Sequence, residues 1–271
     1  MAGIDASEAA LAAVRWAAAE AWSGHRRLVL FHAGIFDDAD LVRGTPTEET
    51  ERLLERAHRW IRRAAQVAEA TAPGVATEYL IRLGLAGELL VGLSEEAALL
   101  VLGSHGIGGL RGVAVGSVAL RVAANARCPV VVVRGRVKPD GPVAVGVSGA
   151  GDERVLEFAF AAARSRHVQV VVVHAWHESL LEEPEALDAE AESEAEALSR
   201  RVEDLSGRYP GVLTRTRAVR DRSAARALQG VENAQLIVIG TRGRGPVGGG
   251  LFGSTGNRLL SQSSCPVAVV H

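Results

Sequence analysis

Apolar and polar positions follow two alternating rhythms along this chain. An unbroken apolar run over 28–32 predicts a strand buried on both faces. Thr45-Pro46-Thr47-Glu48 then reads as a capping box with proline at the first helical position. Leu53, Ala57, Trp60, Ile61, Ala64 and Ala68 follow at helical spacing, and Ala72-Pro73-Gly74 stops the helix. Strands at 78–82 and 99–102, a short helix at 88–95, a helix at 117–126 and a last strand at 130–133 complete the first half. The order then repeats. Strands are predicted at 143–147, 168–174, 213–219, 236–239 and 267–270, with helices at 152–164, 184–205, 222–231 and 252–263. Strands alternating with helices imply right-handed crossovers and a parallel α/β sheet in each half.

The repeat is also visible residue by residue. Gly103-Ser104-His105-Gly106 leads to Gly116-Ser117, and Gly240-Thr241-Arg242-Gly243 leads to Gly253-Ser254. Gly103 and Gly240, Ser117 and Ser254, and Cys128 and Cys265 are each 137 positions apart. The predicted domains are 1–135 and 142–271, joined by a charged, Pro- and Gly-containing linker at 136–141. The first domain offers only residues 2–4 as a first strand before Asp5, where the second spends 142–147. So short a strand is expected to leave backbone groups of the strands beside it without partners.

Each glycine motif lies between a strand and a helix. Glycine there lets backbone N–H groups approach a phosphate, and the free N–H groups of the following helix attract its oxygens. On this reading Gly103 and Gly106 remove side chains where the loop turns around the anion, and Ser117 adds a hydroxyl donor. A plain structural turn is the competing reading, and two copies at matched positions weigh against it. No Gly-Lys-Ser/Thr ending places a lysine on the β/γ-phosphates, and the dinucleotide fingerprint with its acidic ribose contact is absent.

Composition narrows the classes. The chain has 271 residues, 48% of them apolar, and a net charge of −2, which gives no electrostatic case for nucleic acid or an anionic membrane. No apolar run approaches the roughly 20 residues that span a bilayer, and no secretion signal opens the chain, so a cytoplasmic protein is expected. Cys128 and Cys265 start related strands and are expected as free, buried thiols. The eight His residues suggest no metal cluster; His32 and His174 end related strands and read as satisfied, partly buried side chains. His105, inside the first loop, either touches a phosphate or faces solvent. The acidic stretch 182–196 reads as the start of a helix, with Arg200 and Arg201 nearer its end, which suits the macrodipole.

These motifs resemble the universal stress protein family in its tandem, two-domain form, over nearly the whole chain. The residues that carry the resemblance are the complete Gly-x2-Gly-x9-Gly-Ser signature in both halves, the Cys-Pro-Val-Val-Val ending at Cys128 and the Leu-Val-Leu-Gly-Ser-His-Gly run from Leu100. The resemblance implies two doubly wound, five-stranded parallel-sheet domains of adenine-nucleotide α-hydrolase type, with ATP, accompanied or not by Mg2+, at the carboxyl ends of the strands. It assigns the nucleotide to Asp5, Ala33, Gly103, Gly106, Gly116, Ser117 and Val118 in the first half. In the second half it assigns Ala175, Gly240, Gly243, Gly253, Ser254 and Thr255, while Ser148 replaces the aspartate. It also implies intramolecular pairing of the two domains through 130–133 and 267–270, and a homodimer of the whole chain is compatible with it.

The expected function is an ATP-binding, nucleotide-responsive stress-response protein with no catalytic residues and, at most, very slow hydrolysis. Two alternatives stand beside it. A nucleotide-free interaction scaffold would use the loops structurally. An adenylating enzyme rests only on Ser148-Gly149-Ala150-Gly151-Asp152, a loose likeness to the Ser-Gly-Gly loop of such enzymes.

Overall fold

A computed structural model describes residues 1–34, 48–106, 115–136, 138–147, 152–176, 184–220, 223–241 and 253–271. The chain divides into two compact units, Met1–Arg134 and Gly135–His271. Each is a five-stranded, all-parallel α/β sheet.

In the first unit the strands are β1 (Ala2–Gly3), β2 (Leu28–Gly34), β3 (Thr77–Leu83), β4 (Leu100–Gly103) and β5 (Val130–Val133). Their order is β3-β2-β1-β4-β5. The helices are α1 (Glu8–Ser23), α2 (Glu48–Thr71), α3 (Ala86–Leu93) and α4 (Ser117–Asn125). α1 packs on α2, and α3 on α4. Leu28, Leu30, Phe31, Leu100 and all four residues of β5 are buried, as a sheet covered on both faces requires.

Three features depart from the pattern reading. α1 has no counterpart in it, because its many alanines blur the contrast between faces. The short β1 is extended by single hydrogen bonds beyond the strand itself. The Met1 amino group donates to Leu99 O at 2.8 Å, Val101 N donates to Met1 O at 2.9 Å, and Ile4 N donates to Phe31 O at 2.8 Å. The ladder therefore runs past both ends of a two-residue strand. Residues 45–47 of the expected capping box lie outside the described residues, while the helix they introduce is present.

The second unit contains β6 (Val143–Val147), β7 (Val170–Trp176), β8 (Thr214–Arg220), β9 (Leu236–Gly240) and β10 (Val267–Val270). Their order, β10-β9-β6-β7-β8, is that of the first unit read in the opposite direction. Its helices are α5 (Glu153–Arg166), α6 (Pro184–Arg208), α7 (Ala224–Gln229) and α8 (Ser254–Gln262). The acidic stretch enters α6, as expected. Phe160, Leu156, Leu228, Leu236 and Leu259 are buried almost completely, and burying such side chains is worth about 1.5–3 kcal/mol each. Cys128 and Cys265 are free and buried. No described helix is long and apolar enough to cross a membrane.

Candidate functional site

The strand order of the first unit reverses between β1 and β4. Open α/β sheets take ligands in the crevice outside the carboxyl ends of the strands at such a switch point. Two segments meet there: residues 4–7, leading from β1 into α1, and residues 104–106, leaving β4.

Asp5 organises the first segment. Its Oδ1 accepts hydrogen bonds from Ser7 N at 2.9 Å and Ser7 Oγ at 2.5 Å. Ser7 is the N-cap of α1, and its Oγ accepts from Ala10 N at 3.1 Å. The same hydroxyl lies 3.4 Å from His105 O, in the second segment. Ser7 thus ties the carboxylate to the helix start and to the glycine loop. Asp5-Ala6-Ser7-Glu8 before an apolar run is an N-cap signal that apolar periodicity by itself does not pick out.

The motif glycines do different jobs. A Cβ on Gly106 would stand 2.7 Å from Asp5 Oδ2, so glycine there lets the loop lie against the carboxylate. A Cβ on Gly103 would stand 2.6–2.9 Å from the backbone of Ala9 and Ala10. Glycine at 103 is therefore required by the approach of α1 to β4, and it frees space for the helix rather than for a phosphate. Around Gly116 the nearest atom to a Cβ would be His105 Cα at an ordinary 3.5 Å.

The loop is held at both ends. Ser104 N donates to Val133 O at 3.1 Å, and Gly116 N donates to Ser104 O at 2.8 Å. His105 Nδ1 lies 3.0 Å from Ser104 Oγ. α4 then begins at Ser117 with Gly116 as N-cap, no side-chain cap and no acid in its first turn. α1 and α7 carry serine caps, Ser7 and Ser223, while α3, after Leu85, also lacks one. An uncapped, unneutralised helix start keeps its N–H groups and positive end for an anion. Ser117 and Val118 are exposed at that start.

Asp5, Gly106, Gly116 and Ser117 thus gather at one end of the sheet. Ala33, half-buried, lies on neighbouring β2, beside Arg82 of β3. His32 is satisfied: its Nδ1 lies 2.8 Å from Ile4 O, and its ring meets Trp60 edge-on at 5.2 Å between centroids. His174 is likewise buried, on β7.

The second unit repeats the described parts of this arrangement. Gly240 ends β9, and Thr241 N donates to Val270 O at 3.1 Å, the counterpart of the Ser104–Val133 bond. Gly253 is the N-cap of α8, with no side-chain cap and no acid in the first turn. Ser254 is exposed and Thr255 half-exposed at its start. Ala175 pairs with Val219 near the end of β7. Ser148, Arg242 and Gly243 lie outside the described residues, as does most of the Ser148–Asp152 loop. Among the described residues no cluster of His, Cys, Asp and Glu could hold a metal ion.

The model of the universal stress protein family matches this chain twice, over residues 1–134 and 142–271. The chain belongs to the universal stress protein family. Universal stress protein Rv2623 of Mycobacterium tuberculosis (strain ATCC 25618 / H37Rv) is 35% identical to it over 285 residues, covering 99% of this chain and 95% of its own. Universal stress protein Rv1996 of the same strain is 30% identical, covering 99% and 93%. The crystal structure of a universal stress protein from Archaeoglobus fulgidus superposes with a TM-score of 0.72 at 19% identity, covering 99% of this chain and 96% of the other. That likeness bears on the fold, which it shares.

Proposed function

We propose that this universal stress protein binds ATP in the crevice beside Asp5 and acts as a cytoplasmic, nucleotide-responsive regulator that turns ATP over slowly or not at all. The observation that carries the reading is the convergence of Asp5, Gly106 and the uncapped start of α4 at the switch point. The carboxylate would accept hydroxyl donors of the nucleoside, and the N–H groups at Gly116–Ser117 would take phosphate oxygens. A bare Gly106 lets both groups share one ligand. Ala33, on the next strand, would present backbone groups to the base. Gly103 contributes by letting α1, and with it Ser7, sit close to the loop.

The second unit offers a matching strand end and helix start through Gly240, Gly253, Ser254 and Thr255, with Ala175 on β7. A serine at 148 gives it no carboxylate at the aspartate position. We therefore assign the tighter site to the first unit. Mg2+ would enter with the nucleotide, as a companion of its phosphates.

The deciding experiment is mass spectrometry of nucleotide carried through purification, paired with calorimetric titration of ATP into the stripped protein. ATP recovered from the protein, and saturable binding, support the reading. Turnover near the roughly 10 per second typical of enzymes would refute the regulatory part. Absence of binding in both assays would favour a nucleotide-free scaffold.

A further inference from the structure

A second concave site lies wholly within the second unit, at the opposite ends of the strands from the glycine loops. It is a hollow of about 820 Å³ lined by Lys138–Pro142, Gln169, Val171, Arg215, Arg217 and the turn Gly230–Asn233. Its volume falls in the range that small-molecule sites occupy, roughly 300–1,000 Å³.

The walls are built. The buried amide of Gln235 donates to Pro139 O at 2.8 Å and Gly141 O at 2.6 Å, fastening the 138–141 turn to the 230–235 turn. Lys138 Nζ donates to Asn233 Oδ1 at 2.6 Å, which holds the ammonium at the hollow. Arg217 donates to Gly230 O at 3.3 Å, beyond the end of α7. Ordering these walls in advance lowers the entropic cost of taking a ligand.

The charges are left for something else. Lys138, Arg215 and Arg217 form no ion pair among the described residues, although Asp140 and Glu232 line the same hollow. The fold does not demand these cations. Arg215 is the register partner of Val171, as Glu78 is of Val29 in the first unit; Arg217 is that of Val173, as Leu80 is of Phe31. At the first of these places the other unit carries an acid, already paired with Arg27 at 3.3 Å. Two arginines on one face of an edge strand are thus particular to the second unit. The guanidinium fork matches the oxygens of a phosphate, and lysine adds a point charge. Asp140 and Glu232 repel an extended polyanion yet accept hydrogen bonds from hydroxyl groups.

We propose that this hollow is a second ligand site for a small phosphorylated polyol, with the phosphate on Arg215, Arg217 and Lys138 and the hydroxyls on Asp140 and Glu232. It would serve as an effector site separate from the nucleotide crevice.

The test is calorimetric titration of ribose 5-phosphate into the full chain with ATP present at saturation, with ribose and inorganic phosphate as separate probes. The proposal expects ribose 5-phosphate to bind at about 1 mM or below and more tightly than either fragment. It expects the Arg215→Ala/Arg217→Ala double variant to lose affinity by about tenfold or more, and Gly116→Ala to keep it. Both arginines are exposed, and circular dichroism with a melting curve checks that the double variant folds. Unchanged affinity in the folded double variant, no binding by the wild-type chain, or inorganic phosphate binding as tightly as ribose 5-phosphate would each overturn it.

Discussion

Asp5 and Gly106 are fitted to each other: a single added methyl on the glycine would stand 2.7 Å from the carboxylate oxygen Oδ2. The same methyl on Gly103 would instead strike the backbone of Ala9 and Ala10. The two motif glycines should therefore fail differently. A carboxylate can swing away at the cost of an off-rotamer torsion, about 0.5–1.5 kcal/mol. Helix backbone cannot, and overpacking costs about 1–3 kcal/mol. Gly106→Ala should weaken ATP binding with little change in melting temperature, whereas Gly103→Ala should lower stability in urea. The reverse assignment of effects would contradict the geometry.

Asp5→Asn isolates the charge. An asparagine Oδ1 can still accept from Ser7 N and Ser7 Oγ, so the start of α1 keeps its hydrogen bonds. A hydrogen bond to a charged group is worth about 1.5–3 kcal/mol, so ATP affinity at this site should fall about 10- to 150-fold. The wild-type chain should accordingly titrate as two unequal sites, since Ser148 stands where the second unit would carry the acid. Equal affinity at both sites, or no change in Asp5→Asn, would remove Asp5 from the nucleotide site.

Much of this arrangement was legible in the sequence, for physical reasons. Strands such as Val130–Val133 and Val143–Val147 are buried on both faces, so they stand out as unbroken apolar runs. The two glycine motifs share one spacing because each links a strand end, Gly103 or Gly240, to a helix start, Ser117 or Ser254. α1 escaped because Glu8–Ser23 is so rich in alanine that neither face looks distinct. The role of Gly103 escaped because it depends on a helix far from it in sequence. The persistence of pairing around β1 escaped because Met1 and Ile4 extend the ladder with single bonds outside the strand itself. The cations at Arg215 and Arg217 acquire meaning only when register places them beside a hollow, at the positions that Glu78 and Leu80 hold in the first unit.

Ser7 should be a coupling residue. Its hydroxyl caps α1 through Ala10 N, holds Asp5 and approaches His105 O. Ser7→Ala removes all three interactions at once. Loss of a serine N-cap costs about 1 kcal/mol, so the melting temperature should drop by a few degrees. ATP affinity should fall in parallel, because the carboxylate loses a donor that fixes it. Ser7→Thr, which keeps the oxygen, should recover both properties. A Ser7→Ala protein with reduced stability and wild-type affinity would limit Ser7 to capping.

Cys128 should resist thiol reagents and mark the alkaline limit of the fold. It is buried at the start of β5, and burial, the largest influence on it, raises its pKa above the ordinary 9.0. Iodoacetamide at pH 8 should therefore label neither Cys128 nor the equally buried Cys265 until the chain is unfolded. The sign of the stability effect follows from the same shift. Above pH 9 the unfolded chain releases the Cys128 proton while the folded chain retains it, so the folded state binds more protons and stability falls as pH rises. Below that value both states hold the proton and the contribution is constant. Urea unfolding of wild type and Cys128→Ala between pH 7 and pH 10 measures the term directly. The alanine variant should start less stable, from the lost side-chain volume, and should lose less stability than wild type on going above pH 9. Parallel pH profiles for the two proteins would show that the buried thiol contributes nothing to the alkaline limit.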